Sequence, residues 1–361
     1  MSPRLRPRLS WPTSRVGAHL PSGRDGRAAI PGQWLAGVTV VVAAACSSAP
    51  APPAATTAPA RTSTTTTTSP TTTARPPAPL PGLTGGPVLA AKIDNTNNSR
   101  PRVGVSKADV VYVEPVEAGL TRLLAVWSST MPPQIGPVRS GRESDNDILA
   151  NYGRVAFAFS GGSAGTLATL SHGSQVNLSF DASQVGFRRA GNRPAPYNVI
   201  GYTAELLARA GGSVPPGDTG LHFGPALPGG MPGTSVATSW AASRISLSWD
   251  AAQKHYLVTT DGRPDIDAAG SQHGAATVIV QTVHTYLSAN RDVNGVQSPV
   301  AEVVGSGAVT VLRDGQSFVG TWSRPSAGAP TAYLMGSATI PLASGQVWIL
   351  LVPQGQPVQV S

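Results

Sequence analysis

The chain has 361 residues, a formal net charge of +8 and a single cysteine. The positive charge is concentrated before Leu80, where eight arginines face one acidic residue, whereas eighteen basic residues face seventeen acidic residues in the remainder. The larger part of the chain is therefore nearly neutral, which excludes the basic surface that binding to a nucleic-acid backbone requires. A lone cysteine also excludes a disulfide within the chain.

The segment before Cys46 has the features of a lipoprotein signal peptide. Several arginines precede an apolar run from Trp34 to Ala45, which is well short of the ~20 residues that a membrane-spanning helix needs. Three alanines, Ala43 to Ala45, directly precede Cys46. We therefore predict that residues 1–45 are cleaved and that Cys46 is diacylated, which anchors the protein to the extracytoplasmic face of the cell membrane. A leader that is cleaved without lipidation is the alternative.

Residues 46–84 consist mainly of alanine, proline, threonine and serine. Such a composition cannot form a core and predicts a disordered linker. An extended linker of this length could hold a folded domain up to about 100 Å from the membrane. It is either a stalk through a cell wall, with or without O-glycosylation, or a plain tether.

The next part of the chain interleaves apolar runs with short helical patterns. Strands are predicted at Val88–Ile93, Ala108–Val113, Thr121–Trp127 and Val155–Phe159, and helices at Asp145–Tyr152 and Thr166–Leu170. This alternation predicts an N-terminal α/β domain over residues 85–228.

Helical spacing disappears after about Pro225, and apolar residues instead alternate with polar ones. One long strand is predicted from Thr277 to Tyr286, and tight hairpins are predicted at Asp261-Gly262 and Asp314-Gly315. Further strands are predicted at Val300–Val304, Ala308–Leu312, Phe318–Trp322, Ala332–Met335 and Val347–Val352. The predicted fold class is therefore α+β, with an antiparallel β-rich C-terminal domain over residues 235–356, either a sandwich or a partly open barrel.

The charged residues of the first domain suggest an anion site. Arg139 and Arg142 follow a Gly-Pro turn after a strand, where side chains tend to face a crevice at the edge of a sheet. The candidate ligands of an anion are Arg122, Arg139, Arg142, Gly161, Gly162 and Ser163, and the supporting acids are Glu114, Glu117 and Asp145.

The turn Gly161-Gly162-Ser163 lies between a predicted strand and a predicted helix. Its free backbone N–H groups, a hydroxyl at the helix start and the positive helix end could together bind a phosphate or a carboxylate. Nearby arginines could hold such a group bidentately. The alternative is that these arginines pair with the three supporting acids and only stabilise the fold.

Several linked segments resemble the YerB-like lipoproteins, domain-of-unknown-function family 3048 (DUF3048). These segments, between about Leu89 and about Pro353, are KADVVYVEPVEAGLTRLLAVW, IGPVRSGRESD, FSGGS, NRPAPYNV and GTWSRPSAGAPTAYL. The resemblance implies a bacterial lipoprotein with an α/β N-terminal domain and a β-rich C-terminal domain, and it implies no particular activity. Gly141 replaces the alanine of a usual Arg-Ser-Ala-Arg motif, and Ala195-Pro196-Tyr197 stands where members tend to have Pro-His.

These features predict a lipid-anchored binding or scaffolding protein of the bacterial cell envelope. One alternative is an enzyme that acts on a polyprenyl pyrophosphate, by a loose similarity of layout to phosphotransferases of the LytR-CpsA-Psr kind, which use arginines and a magnesium ion. The other is a serine hydrolase, because Gly161 to Gly165 fit the Gly-x-Ser-x-Gly pattern. Its partners would come from the downstream residues Asp250 or Asp265 and His273 or His284.

No metal site and no cofactor are predicted, because the histidines are scattered without ligand spacing. Asp261, Asp265 and Asp267 lack the remaining ligands of a calcium loop. Trp322 is expected in the core, with sugar stacking as the alternative. The predicted partners are the membrane, through the lipid anchor, and cell-wall polymers or their enzymes, but not nucleic acid.

Overall fold

A computed structural model describes residues 86–212 and 217–361, so the predicted signal peptide, Cys46 and the linker lie outside the described residues. The strands of the first half are β1 (Leu89–Asp94), β2 (Val110–Pro115), β3 (Thr121–Trp127), β4 (Gln134–Ile135), β5 (Ala156–Phe159), β6 (Val176–Ser179), β7 (Phe187–Arg189) and β8 (Val199–Tyr202). Its helices are α1 (Ser144–Ala150), α2 (Ala164–Ser171) and α3 (Thr203–Ala210). The predictions of β1, β2, β3, β5, α1 and α2 are confirmed. The sequence pattern did not reveal β6, β7, β8 and α3, although β6, β8 and α3 are as long as the correctly predicted β5 and α2.

The second half consists of strands. They are β9 (Met231–Pro232), β10 (Ser235–Trp240), β11 (Ser243–Asp250), β12 (His255–Thr260), β13 (Arg263–Pro264), β14 (Gly274–Ala275), β15 (Thr277–Val283), β16 (Thr285–Arg291), β17 (Gln297–Ala301), β18 (Gly305–Arg313), β19 (Gln316–Arg324), β20 (Ala332–Met335), β21 (Ala338–Thr339), β22 (Val347–Pro353) and β23 (Val358–Val360). The predicted turns are confirmed, with Asp261 and Asp314 each at a φ of 52°. The prediction of a single long strand from Thr277 to Tyr286 is wrong. The chain leaves the strand conformation at His284, which separates the buried β15 from the more exposed β16, and the two strands belong to different sheets.

Twelve strands form one mixed sheet in the order β21-β20-β19-β18-β15-β22-β2-β3-β1-β5-β6, with β9 paired to β19. Strand β22 lies between β15 and β2 and is parallel to both, so that Val347 is opposite Val110 on one side and Thr277 on the other. The two halves of the chain therefore share this sheet, within the compact unit Thr72–Ser361. The prediction of a β-rich fold is confirmed. The prediction of a purely antiparallel second half is wrong, because β22 is inserted in parallel between strands of both halves.

The main sheet is covered on both faces. Along β1, Leu89 and Ala91 contribute to one apolar cluster and Ala90 to another, and all three are fully buried. The first cluster includes side chains of a six-stranded sheet, β13-β12-β11-β10-β23 with β14, such as Leu247. The second cluster includes Ile148 of α1. Burial on both faces explains why β1 and β2 are continuous apolar runs in the sequence.

A hairpin of β16 and β17 lies outside the main sheet and pairs only with itself. Its residues contact the first half of the chain: Asn290 Nδ2 donates to Glu143 Oε1 at 2.8 Å, and Ser298 Oγ donates to Glu117. The strands β4, β8 and β7 form a further three-stranded sheet. The hairpin thus places residues of the second half beside the strand ends of the first half.

Candidate functional site

The residues predicted to bind an anion gather at one edge of the main sheet. Strands β1, β5 and β6 are parallel, and β3 is antiparallel to both β1 and β2, so the carboxyl ends of β1, β2, β5 and β6 lie at the same edge. Because β3 lies between β1 and β2, Arg122 is directly opposite Asp94 on one side and Glu114 on the other. Strand ends at such an edge often border a crevice.

Arg142 is fully engaged by the protein. Its Nε donates to Glu117 Oε2 at 3.1 Å, and its Nη2 donates to the same oxygen. Its Nη1 donates to the carbonyl oxygens of Gly141 at 2.7 Å and Ser140 at 3.2 Å. Burial by itself would raise the pKa of Glu117, but Arg142 and Ser298 outweigh it and lower that pKa. The contacts of Arg142 therefore agree with the alternative that this arginine pairs with an acid and stabilises the fold.

The other two supporting acids pair with a lysine that the sequence did not single out. Lys92 Nζ lies 2.6 Å from Glu114 Oε1 and 2.6 Å from Asp145 Oδ1, and all three side chains are buried. The second oxygen of Asp145 accepts the backbone N–H of Arg142 at 2.6 Å, whereas Glu114 Oε2 has no hydrogen-bond partner. Burial raises the pKa of Glu114 to about 8; Lys92 opposes this shift and Asp145 adds to it. Neither Glu114 nor Asp145 forms an ion pair with an arginine within the described residues.

Arg139 is partly engaged. Its Nη1 lies 3.3 Å from Asp94 Oδ2 and donates to the carbonyl oxygen of Pro196 at 3.5 Å. Its guanidinium lies over the ring of Tyr197, 5.3 Å from the centroid. Tyr197, which stands where the family tends to have a histidine, therefore contacts the site through its ring.

Of the three candidate arginines, Arg122 is the one that forms no ion pair with a carboxylate within the described residues. Of the two acids directly opposite, Asp94 pairs with Arg139 and Glu114 pairs with Lys92. Within the described residues, Arg122 has no carboxylate oxygen within 4 Å, and its only hydrogen bond goes from Nη1 to the carbonyl oxygen of Ser140 at 3.2 Å. Burial, together with the nearby positive charges of Arg142 and Arg139, lowers its pKa to about 9, although Glu117 and Asp94 partly oppose this shift. An additional negative group beside Arg122 would also oppose it.

The glycine turn lies next to these arginines, as predicted. Ser163 precedes α2, and its Oγ accepts the backbone N–H of Thr166 at 3.3 Å, which is the expected helix cap. The N–H groups of Gly162 and Ser163 donate to no acceptor within the described part of the chain. Gly161 lies against Asp181, since a Cβ at Gly161 would come within 1.9 Å of Asp181 Oδ2.

Arg122, Arg139, Arg142, Gly162 and Ser163 line one cleft of about 360 Å³. The hairpin β16–β17 closes one side of this cleft with five residues that sequence reasoning missed: Arg291, Asp292, Val293, Asn294 and Ser298. Nothing in the local sequence shows which strand ends this hairpin approaches. Glu114 and Asp145 do not line the cleft.

The enzyme alternatives have little support in this geometry. Ser163 Oγ has hydrogen-bond contacts only with Thr166, so no histidine within the described residues lies in position to act as its base. His284 instead contacts Glu302 at 2.9 Å, and His273 is buried without a partner for either ring nitrogen. Among the described residues, Val293 supplies the only apolar side chain that lines the cleft, whereas a polyprenyl substrate needs an apolar groove.

The remaining site predictions concern metals and sugar stacking. The described residues contain no group of three or more histidine, cysteine, aspartate or glutamate side chains that could hold a metal ion. Trp322 is buried, and its Nε1 donates to the carbonyl oxygen of Thr282 at 2.8 Å, so the core assignment is confirmed and the sugar-stacking alternative is wrong. Asp265 is buried beside Arg102 and pairs with it.

Comparison with known families identifies the chain. Residues 73–214 match the N-terminal domain, and residues 235–349 the C-terminal domain, of the protein of unknown function DUF3048. The chain belongs to the DUF3048 family. The resemblance noted in the sequence is therefore confirmed.

Two similarities to individual proteins accompany this assignment. The chain is 35% identical over 113 residues to "Putative lipoprotein YerB" of Bacillus subtilis (strain 168), an alignment that spans 30% of this chain and 33% of that protein. The crystal structure of the YerB protein from Bacillus subtilis matches with a TM-score of 0.65 and 21% identity, over 77% of this chain and 95% of that chain. The second match shows that the two proteins share a fold. Among the described residues, no helix is long and apolar enough to cross a membrane.

Proposed function

We propose that this chain is a lipid-anchored, extracytoplasmic protein of the bacterial cell envelope that binds a phosphate- or carboxylate-bearing ligand in the cleft at Arg122. The observation that carries the proposal is the isolation of Arg122: it faces two carboxylates in register, yet both pair with other cations. A buried arginine is normally satisfied by an acid or, like Arg324, by several carbonyl oxygens, because an unsatisfied buried charge is costly, whereas Arg122 makes a single hydrogen bond within the described residues. An arginine left unpaired in a cleft is therefore well suited to an external anion.

The rest of the cleft supports the same ligand class. The unpaired N–H groups of Gly162 and Ser163 lie at the start of α2, where an anion is favoured electrostatically. Arg291 also faces the cleft, and its only hydrogen bond goes from Nη1 to the carbonyl oxygen of Gly295 at 2.7 Å. Two cations and a set of free donors thus converge on a space that is large enough for a small ligand.

The location belongs to the proposal as well. It is supported by the sequence before Cys46 and by the name of the Bacillus subtilis relative, which describes that protein as a lipoprotein. On this proposal the membrane is one partner, through the lipid anchor, and the anionic ligand comes from cell-wall polymers or their precursors. We also retain the α/β description for the first half, supported by α2, which connects the parallel strands β5 and β6.

The proposal is tested by thermal unfolding of the full-length chain with inorganic phosphate and pyrophosphate. A ligand that binds only the folded protein stabilises it by about 2.7 kcal/mol at about 100 times its Kd. We expect both anions to raise the Tm of the wild type, and Arg122→Gln to abolish this increase without lowering the Tm of the free protein. Arg244→Gln is the matched control, because Arg244 is an exposed arginine of β11 outside the cleft. Absence of any anion-induced increase in the wild type would refute the proposal.

A further inference from the structure

The cleft that contains Arg122 also contains an unpaired carboxylate. Asp181 follows β6 and lines the same cleft, and its side chain is exposed. Within the described residues its carboxylate accepts no hydrogen bond and has no basic nitrogen within 4 Å. Only its backbone N–H is bonded, to the carbonyl oxygen of Ser160 at 3.0 Å. Because Arg122 and Asp181 line the same cleft but form no ion pair with each other, a ligand could bind between them.

Other charged side chains of the cleft already have partners in the protein. Arg142 pairs with Glu117, and Arg139 pairs with Asp94. The carboxylate of Asp292 accepts the backbone N–H groups of Asn294 and Val296, each at 2.9 Å, and its pKa is lowered by these bonds, which outweigh the opposing effect of burial. Within the described residues, the charged side chains of the cleft that form no ion pair are therefore Arg122, Arg291, Asp181 and Asp292, and of the two acids only Asp181 has a carboxylate that accepts no hydrogen bond.

The charged side chains without an ion pair distinguish between classes of anionic ligand. A ligand that carries only negative groups would be attracted by Arg122 but repelled by Asp181. A ligand that carries an ammonium group beside its anionic group would satisfy both sides of the cleft with charge-assisted hydrogen bonds. The cleft of about 360 Å³ is at the small end of ligand pockets, which fits a molecule of the size of an amino acid or a dipeptide.

The glycine turn allows Asp181 to take this position. Any side chain at Gly161 would place its Cβ within 1.9 Å of Asp181 Oδ2 and would displace the carboxylate. The same turn presents the unpaired N–H groups of Gly162 and Ser163. One short segment thus supplies donors for an anion and permits an acceptor nearby.

We infer that the cleft binds a zwitterionic ligand, with its carboxylate or phosphate on Arg122 and its ammonium group on Asp181. This inference rests on the proposed function, since it specifies the class of anion that the same cleft accepts. It assigns to Asp181 a role in ligand selection.

Two matched pairs of probes test this inference by isothermal titration of the full-length chain. In the first pair, alanyl-alanine is compared with N-acetyl-alanyl-alanine, and in the second, phosphoethanolamine is compared with ethyl phosphate. Each pair differs in the ammonium group and shares the anionic group. We expect at least one ammonium-bearing probe to bind about tenfold or more tightly than its partner. Arg122→Gln should abolish the binding of both members of that pair.

Asp181→Asn keeps the size of the side chain and removes its charge. We expect this variant to lose the preference for the ammonium-bearing probe while it binds the partner as well as the wild type does. Asp261→Asn is the matched control, because Asp261 lies in the β12–β13 turn and its left-handed backbone conformation also suits asparagine. The control should retain the full preference.

The outcomes separate this inference from the proposed function. If inorganic phosphate stabilises the wild type through Arg122 but neither pair shows a preference for the ammonium group, the zwitterionic ligand is refuted and anion binding stands. If Asp181→Asn weakens both members of a pair equally, the role of Asp181 in selection is also refuted. If no anion of any kind binds, both proposals fail together.

Discussion

At the scale of single residues, Lys92 determines which carboxylates remain for the arginines of the cleft. It lies on the face of β1 that packs against α1 and takes both Glu114 and Asp145, at 2.6 Å each. If Glu114 were free, it would be the natural partner of Arg122, which is directly opposite it in register. A buried lysine that does not itself line the cleft therefore keeps Arg122 available.

The buried Glu114 predicts an unusual dependence of stability on pH. Its pKa is raised from 4.5 to about 8, so between these pH values the folded state holds a proton that the unfolded chain has lost. The free energy of unfolding that this group contributes therefore falls as pH rises from 4.5 through about 8. Glu114→Gln removes the titration and still leaves an oxygen to accept from Lys92. We expect the variant to gain stability relative to wild type as pH rises.

Chemical denaturation of both proteins at pH values on either side of this range measures the effect. Taking the difference from wild type removes contributions of other groups, such as His273, whose pKa is lowered by burial. Parallel curves of unfolding free energy against pH for wild type and Glu114→Gln would contradict this assignment.

Arg139 and Arg142 are predicted to differ sharply when they are replaced. Arg142→Gln removes the partner of the buried Glu117, and breaking such a pair from one side typically costs about 3–5 kcal/mol. Arg139→Gln should cost less, about 1 kcal/mol, because Asp94 Oδ1 still accepts the backbone N–H of Thr96 at 2.7 Å. Urea unfolding of the two variants makes the comparison.

A double variant separates the loss of the ion pair between Arg142 and Glu117 from other effects of the Arg142→Gln substitution. In Arg142→Gln with Glu117→Gln no buried charge is left alone, so part of the lost stability should return. If Arg139→Gln proves as destabilising as Arg142→Gln, the conclusion that Arg142 stabilises the fold more than the partly engaged Arg139 does is wrong.

At the scale of secondary-structure elements, the parallel pairing of β2 with β22 joins the two halves of the chain. Val110 to Val113 are opposite Val347 to Leu350, and these residues are buried in the centre of the main sheet. The hairpin β16–β17 adds a second connection through Glu117 and Glu143. The family models divide the chain between residues 214 and 235, yet the cleft has residues from both sides of that division.

This pairing predicts what limited proteolysis will do. The segment 225–230 contains exposed residues and glycines and precedes β9, so we expect a protease to cut there. Because the two fragments share the main sheet, they should elute together in gel filtration without denaturant and separate only in denaturant. The uncut chain, run under both conditions, is the control. Separation of the fragments in native buffer would show that the shared sheet does not hold the halves together.

At the scale of the whole molecule, the predicted anchor and the described fold are separate parts of the sequence. The first strand begins at Leu89, well after Cys46. Cys46→Ser should therefore release the protein from the membrane fraction into the medium. Its Tm and any increase by phosphate should remain those of the wild type, since Cys46 begins a segment whose composition is predicted to form no core. Retention of the variant in the membrane fraction would contradict lipidation at Cys46.

The sequence by itself determined the features that depend on neighbouring residues. Continuous apolar runs predicted β1, β2 and β3, because strands buried on both faces need apolar side chains at successive positions. Ser163 was predicted to cap α2, and Asp314-Gly315 to form a tight turn, because both depend on local backbone geometry. The family was also identifiable from linked segments. These properties depend on residues that are close together in the sequence, so they can be predicted from one sequence alone.

Only the tertiary structure decided which charges meet. Glu117 is paired with Arg142, 25 positions away, and Glu114 with Lys92, 22 positions away. No sequence pattern marked Lys92, Asp181 or Arg291, and the sequence could not show that β22 would enter the main sheet between β15 and β2. Coulomb energy depends on distance and burial in the folded protein, and neither quantity is set by spacing along the chain. The isolation of Arg122, on which the proposed function rests, exists only because the fold assigns its neighbouring acids to other partners.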